Sequence, residues 1–377
     1  MRILQVSPFF YPHAGGVESH VRGLARELAR EGHDVTVLTS RHERHLPAVE
    51  ELEGYRIVRA RTLGVLWNTP IDPSIARAVR DQKADVVHLH YPPPLTSYFA
   101  ARALLGTTTP TVLTYHCDLY LPGVGGRMIT ALYERLFLPL TLGRVDRIIA
   151  HTRSYAITSV PLRARRVDVI PSSVDVERFR PDVDGSDVRR RLGLDGRRVL
   201  AFTGRLVPHK GVDAIVRVLP SLPDDVVLLV VGRGPRLDAL TSLARRLNVE
   251  DRVRFCPAVP DEELPAYLRV ADLFVFPSQN RLEGFGLAVA EAMAAGLPVV
   301  TADMPGVREV IEPGVEGLLV EPLLGGDLAA RLIELLDDPE RRGRMGAAAR
   351  RRAEERYALP VTTRALIDVY RGLTEAG

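Results

Sequence analysis

The apolar positions of this sequence fall into two alternating periods. Short β-branched runs occur at 2–7 (RILQVS), 34–39 (DVTVLT), 55–60 (YRIVRA), 85–90 (DVVHLH), 111–115 (TVLTY), 145–150 (VDRIIA) and 167–171 (VDVIP). A second series follows at 198–203, 226–231, 252–256, 271–276, 298–301 and 317–320. Helical spacing separates many of them, as in 17–31, where Val17, Val21, Leu24, Ala25 and Leu28 recur on one face. Strands apolar on both faces, with helices between, predict doubly wound parallel sheets. Thirteen strands are excessive for one open sheet, so the pattern predicts two.

The polar, punctuated stretch near 172–196 marks the break. It divides the chain into a first domain over 1–180 and a second over 181–355, with a terminal helix over 356–377 expected to pack back on the first. Open α/β sheets bind ligands beyond the carboxyl ends of their strands. Two such domains facing one another would line a common cleft, so the chemistry is sought in loops that directly follow strands.

Composition narrows the classes. The chain has 377 residues, 46% hydrophobic and 26% charged, with a formal charge of +3. That is a globular protein without the basic excess of a nucleic-acid binder. Cys117 and Cys256 are far apart and form no CxxC, so neither a disulfide framework nor a zinc cluster is indicated. No signal-peptide pattern opens the sequence and no uncharged run approaches ~20 residues, which predicts a cytoplasmic protein. The apolar segment 127–143 is expected to form one helix, buried or touching a membrane surface peripherally. Arginine clusters at 163–166, 189–191, 341–344 and 350–352 are read as solvated faces, and Asp182-Val183-Asp184 as a linker rather than a metal site. Of the 50 basic residues only two, Lys83 and Lys210, are lysines, which draws attention to each.

Lys210 lies in Gly204-Arg205-Leu206-Val207-Pro208-His209-Lys210-Gly211, after a buried strand and before a helix. Arg205 and Lys210 there can converge on one diphosphate, as a planar fork and a point charge. Gly15-Gly16 at a helix mouth, and Gly232-Arg233-Gly234 after the next strand, allow backbone to approach an anion closely. His116, in His116-Cys117-Asp118 after the fifth strand, could donate to a sugar hydroxyl. The most specific segment is Glu283-Gly284-Phe285-Gly286-Leu287 running on to Glu291. It offers free amides at a helix N-terminus between two carboxylates suited to accept from vicinal hydroxyls.

Together these residues resemble the retaining glycosyltransferases of family 4, which have the GT-B fold of two Rossmann-like domains. The strongest element is the E-x7-E pair, Glu283 and Glu291, preceded in order by Gly15-Gly16, His116, the Gly-Arg-Leu-x-x-x-Lys-Gly segment and Gly232-x-Gly234. The resemblance implies hexosyl transfer from a UDP- or GDP-sugar to a glycan, lipid-linked or small-molecule acceptor in cell-envelope or polysaccharide synthesis, with neither metal nor cofactor. It implies that Arg205 and Lys210 hold the diphosphate together with the amides of Gly284, Phe285, Gly286 and Leu287, and that Gly16 closes on it. Glu291 would take the ribose, Glu283 and His116 the sugar, and the backbone near Val259 the base. Met304-Pro305-Gly306 departs from the small residues usual in the family at that loop. The alternatives are a sugar-nucleotide epimerase or phosphorylase of the same fold, or a non-catalytic sugar-nucleotide module.

Overall fold

The structure is a computed structural model that describes residues 1–13, 15–121, 123–321 and 325–375. Ala14 of the first loop and residues 376–377 of the expected terminal helix lie outside them. The chain divides into two compact units, Met1–Ser173 with Leu359–Gly377, and Val174–Ala358. The polar stretch read as a boundary mostly belongs to the second unit. Residues Ser186–Arg191 form a helix whose Val188, with the following Leu194, is buried against that unit's strands.

Ten strands belong to the first unit: β1 (Arg2–Ser7), β2 (Asp34–Arg41), β3 (Val49–Leu52), β4 (Tyr55–Arg61), β5 (Gly64–Leu66), β6 (Thr69–Ile71), β7 (Val86–Tyr91), β8 (Thr111–Tyr115), β9 (Arg147–Ala150) and β10 (Val167–Val169). Eight form one sheet in the order β10-β9-β8-β7-β1-β2-β4-β3, parallel except for β3 on β4. The order reverses beside β1, where a doubly wound sheet opens a crevice at its carboxyl edge. The helix Gly16–Arg30 buries Val21, Leu24, Ala25 and Leu28 against this sheet. The helix Leu359–Thr374 adds Leu366, Ile367 and Tyr370 to the same core.

The second unit is one parallel sheet, β13-β12-β11-β14-β15-β16. Its strands are β11 (Arg198–Thr203), β12 (Val226–Val231), β13 (Val253–Cys256), β14 (Leu273–Phe276), β15 (Val299–Ala302) and β16 (Gly317–Val320). All six residues of β12 are buried, as expected of a strand covered on both faces. The order reverses between β11 and β14, so the loops after these two strands border the crevice.

Three expectations change. Residues 127–143 are two helices, Gly123–Leu136 and Leu138–Leu142, the second with Pro139 in its first turn. Only Tyr133 of the longer helix is buried, while Val124 and Met128 (both 68% exposed), Leu132 and Leu136 stand in solvent. The strand β3 and the hairpin β5–β6 were not legible from apolar runs.

The arginine clusters are not simply solvated. Arg350 donates to the carbonyls of Val176, Phe179 and Ala294, and Arg342 to those of Leu335 and Leu336 at a helix C-terminus. Arg189 reaches Leu194 and Val270. Helix ends leave carbonyls without intrahelical partners, and a guanidinium carries five donors in a fixed fork. Arg350→Lys is therefore expected to keep the charge but lose two of three carbonyl contacts, lowering stability by about 1–3 kcal/mol in a denaturant titration.

Candidate functional site

In the second unit, four loops at the carboxyl edge of the sheet lie against one another backbone to backbone. Gly232 has φ +143°, and a Cβ on it would sit 2.0 Å from the carbonyl oxygen of Gly204. A Cβ on Gly234 would meet Leu206 O at 2.4 Å, and one on Gly211 would meet Pro277 O at 2.1 Å. Gly306 (φ +94°) approaches Glu283 O equally closely, at 2.3 Å from the Cβ position. Residues 204–211 are thus clamped between the β12 loop and the β14 loop. Met304-Pro305-Gly306 supports the Glu283-Gly284 turn, so its single glycine does fill a structural need. Gly211 and Gly306 carry this support, and sequence reasoning gave neither a role in the site.

These loops bring Lys210 and Glu283 into an ion pair, with both side chains largely buried. The resemblance had assigned them to different ligand groups. Lys210 Nζ also lies 4.7 Å from the ring centre of Phe276, over its face. Arg205 is exposed, and no ion pair among the described residues engages its guanidinium. The helix Leu287–Ala294 begins at Gly286, in left-handed conformation, and no side chain caps it. Its first-turn amides, including that of Leu287, are open to an anionic ligand. Gly284 and Phe285 are buried beneath that turn, with Phe285 edge-on to Tyr357. Glu291, one turn into the helix, has its carboxyl pushed up to about 7, first by burial and then by Asp261, against the pull of Arg178 and Lys210. Arg178 pairs with Asp261 at 2.9 Å. Val259 is half-buried against a smaller cluster containing Leu229, Val231 and Tyr267.

Gly15, Gly16 and His116 belong to the first unit. Gly15 precedes the helix Gly16–Arg30 in extended conformation, and its carbonyl accepts from Ser19 N. Around Gly16 there is open space for a Cβ, so its backbone is accessible from that side. His116 corrects the expectation of a free donor. Its Nδ1 lies 2.9 Å from His151 Nε2 and its Nε2 lies 3.1 Å from His90 Nδ1, so both ring nitrogens are engaged inside the domain. Desolvation drives its pKa well below the ordinary imidazole value, and neighbouring histidines add to the shift. His88, His90, His151 and His20 were missed. The signal was available in the alternation His88-Leu89-His90, inside a run read as apolar on both faces. Among the described residues, no group of three or more His, Cys, Asp or Glu is arranged to hold a metal.

Two family models cover almost the whole chain: Glycosyltransferase Family 4 over residues 14–178 and Glycosyl transferases group 1 over residues 186–352. A Mycobacterium tuberculosis GDP-mannose-dependent alpha-(1-6)-phosphatidylinositol monomannoside mannosyltransferase is 30% identical over 98% of both chains. The chain belongs to glycosyltransferase family 4. A D-inositol 3-phosphate glycosyltransferase of Thermomonospora curvata is 33% identical over 95% of this chain and 91% of its own. The fold agrees with solved GT-B structures. Sucrose-phosphate synthase from Thermosynechococcus elongatus superposes with a TM-score of 0.84 at 23% identity, over 100% of both chains. Anabaena HepE in complex with UDP and glucose gives 0.81 at 21%, over 99% of this chain and 100% of its own. This family 4 member is therefore a glycosyltransferase. Its relatives lend no support to the epimerase or phosphorylase alternative.

Proposed function

We propose that this glycosyltransferase moves a hexosyl group, with retention and without metal or other cofactor, from a nucleotide-diphosphate sugar to an inositol-containing acceptor of the cell envelope. One observation carries the donor assignment. The exposed Arg205, the buried Lys210 and the uncapped N-terminus at Leu287 all belong to loops at one switch point of the second sheet. That set suits a diphosphate. It places positive charge where the leaving group becomes more negative, the kind of preorganised stabilisation that dominates many transfer reactions. The cations would do the work a metal does elsewhere. Gly284, Phe285 and Gly286 shape the amide cradle, Gly232 and Gly234 hold the floor, and Val259 offers backbone to the base. In the first unit Gly16 offers accessible backbone, whereas the Glu18 carboxylate lies against Gly15, and His116 serves as a fixed strut rather than a proton donor. The activities of both kinds of relative support the inositol acceptor, and GDP-mannose is the first donor to test.

Lys210 and Glu283 are paired in the ligand-free state. A diphosphate that takes Lys210 from the carboxylate releases Glu283 to accept from sugar hydroxyls. Donor anion and donor sugar are then recognised in one exchange, which limits the desolvation cost of each.

The proposed acceptor gives the exposed apolar ridge a partner. Val124, Met128, Leu132, Leu136 and Leu140 are exposed along the two helices, flanked by Arg127 and Arg135. The only acid between 119 and 143 is Glu134, whose carboxyl is pushed up by burial. The hairpin β5–β6 exposes Leu66 and Trp67, and its β6 packs on the helix Pro94–Ala103, which also carries Leu138–Leu142. An apolar surface bordered by arginines fits a membrane of anionic lipid. No helix of the described residues is long and apolar enough to cross a membrane, so the contact would be peripheral, at the cytoplasmic face.

Three measurements test this reading. Lys210→Ala should lower kcat by about 10²-fold or more, chelator should leave the wild-type rate unchanged, and NMR of the product should show the donor's anomeric configuration. An inverted product would overturn retention, and dependence on added metal would overturn the cation assignment. The raised pKa of Glu291 sets the pH dependence of donor binding. Ionised Glu291 is the better acceptor for ribose hydroxyls, so affinity for the nucleotide sugar should fall as pH drops through about 7. Titration calorimetry should find binding about tenfold weaker at pH 6 than at pH 8, and Glu291→Gln should flatten the profile. Finally, the protein should float with anionic phospholipid vesicles and the Met128→Glu, Leu132→Glu double variant should not. Failure of the wild type to float would refute the membrane contact.

A further inference from the structure

A row of polar side chains crosses the buried face of the first sheet. Gln5 on β1 stands opposite His88 on β7, and His90 stands opposite Thr114 on β8. His116 and His151 follow β8 and β9, and Tyr370 covers the row from the helix Leu359–Thr374. Gln5, His88, His90, Thr114 and Tyr370 are each at most 2% exposed, so every polar atom among them needs a partner.

The partners form a continuous sequence. His151 Nδ1 lies 3.0 Å from the carbonyl of Ile170, and its Nε2 reaches His116 Nδ1. His116 Nε2 reaches His90 Nδ1, and His90 Nε2 lies 2.8 Å from Gln5 Oε1. Gln5 Nε2 lies 3.0 Å from Tyr370 Oη. Tyr370 Oη lies 2.6 Å from His88 Nδ1, and His88 Nε2 lies 2.7 Å from Thr114 Oγ1.

Counting hydrogens fixes the direction of every bond. The Ile170 carbonyl only accepts, so His151 carries its hydrogen on Nδ1. Its Nε2 then accepts from His116 Nδ1, and His116 Nε2 accepts from His90 Nδ1. With the Gln5 oxygen toward His90, three imidazoles between two acceptors would need four hydrogens, one more than three neutral rings possess. Burial opposes that extra charge: it drives His90 and His116 well below the ordinary value and His151 to about 4. Among the described residues, the titratable groups that act on His90 and His116 are histidines. The Gln5 amide must therefore be turned over, with its NH₂ toward His90 and its oxygen toward Tyr370, since an amide's partners decide which atom is which. Its oxygen then accepts from the Tyr370 hydroxyl, Tyr370 accepts from His88 Nδ1, and Thr114 donates to His88 Nε2.

We propose that Tyr370, on the C-terminal helix, is a positioning residue for His116. Its hydroxyl donates to Gln5 and so completes a one-way hydrogen-bond row, running from Thr114 to the Ile170 carbonyl, in which His88, His90, His116 and His151 are all neutral Nδ1–H tautomers. The row joins the C-terminal helix to the loop His116–Asp118. Its kinetic consequence rests on the reading above that this loop serves the transfer site, whereas the tautomers do not depend on that reading.

Nitrogen-15 NMR of the histidine rings at pH 7 tests the tautomers directly in the wild-type protein. Four buried rings with the hydrogen on Nδ1 are expected, although free histidine favours Nε2–H. A doubly protonated His90, His116 or His151, or an Nε2–H His116, would overturn the proposal whatever the protein's activity. Tyr370→Phe removes the donor to Gln5 and the acceptor of His88 Nδ1, while the Ile170 carbonyl still holds the hydrogen on His151 Nδ1. His116 and His151 should therefore stay Nδ1–H while Gln5 and the His90 ring behind it lose their fixed position, with kcat reduced about tenfold and KM for donor little changed. Thr114→Val removes only the terminal donor and should leave the His116 tautomer as it is. An unchanged kcat in folded Tyr370→Phe would refute the positioning role, and an Nε2–H His116 in that variant would refute the direction of the row. If Tyr370→Phe does not fold, the wild-type spectrum and Thr114→Val still decide the direction of the row.

Discussion

The proposed donor side of this glycosyltransferase depends on backbone meeting backbone without a Cβ between. Gly232 against Gly204 O, Gly234 against Leu206 O, Gly211 against Pro277 O and Gly306 against Glu283 O lock together the loops after β11, β12, β14 and β15. Each contact is too close for any side chain. The positive φ of Gly232 and Gly306 would strain other residues in addition. Loops fixed in this way need not be ordered by the ligand, so their amides and cations are already in place when an anion arrives. That is the physical content of preorganisation.

The scarcity of lysine has a structural side and a chemical one. Arg350, Arg342, Arg252 and Arg144 each reach two or more main-chain carbonyls, closing loops and helix ends that a three-donor ammonium on a flexible stem would hold less rigidly. Lys210 makes none of these structural contacts. It faces a carboxylate and the ring of Phe276, as a compact point charge that can be passed from one anion to another. A guanidinium forked onto carbonyls is fixed, whereas the ammonium of Lys210 can exchange partners.

The thirteen runs were legible because a parallel strand covered on both faces is mostly apolar, even where Gln5, His88, His90 and Thr114 are buried within it. The strand β3, with its acidic pair Glu50-Glu51, and the hairpin β5–β6 gave no such run, being edge or exposed elements. The break between Leu136 and Leu138 was hidden by uniform hydrophobicity, although Pro139 marks the new helix start. At the site, Lys210, Glu283 and Glu291 could be placed at strand ends from local sequence alone. Their mutual pairing could not, since Lys210 and Glu283 are 73 residues apart and meet only through the order of β11 and β14. His116 was found for a correct local reason, its position after β8, and given the wrong freedom. The neighbours that occupy its nitrogens come from β7 and from the end of β9.

The two units therefore meet their ligands with opposite kinds of polar group. In the second, amides and a cation are left open and the one buried lysine is paired with a carboxylate it can exchange, so binding energy is available to an incoming anion. In the first, the histidine row is saturated, and an unpaired hydrogen anywhere along it would leave a buried polar atom unsatisfied, at about 1–3 kcal/mol. A saturated row has no affinity to offer and little tolerance for movement. It suits a surface whose contribution is shape. Mutations in the two units should accordingly fail differently: in the second by lost affinity for the nucleotide together with lost rate where Lys210 is removed, in the first by lost rate at preserved affinity.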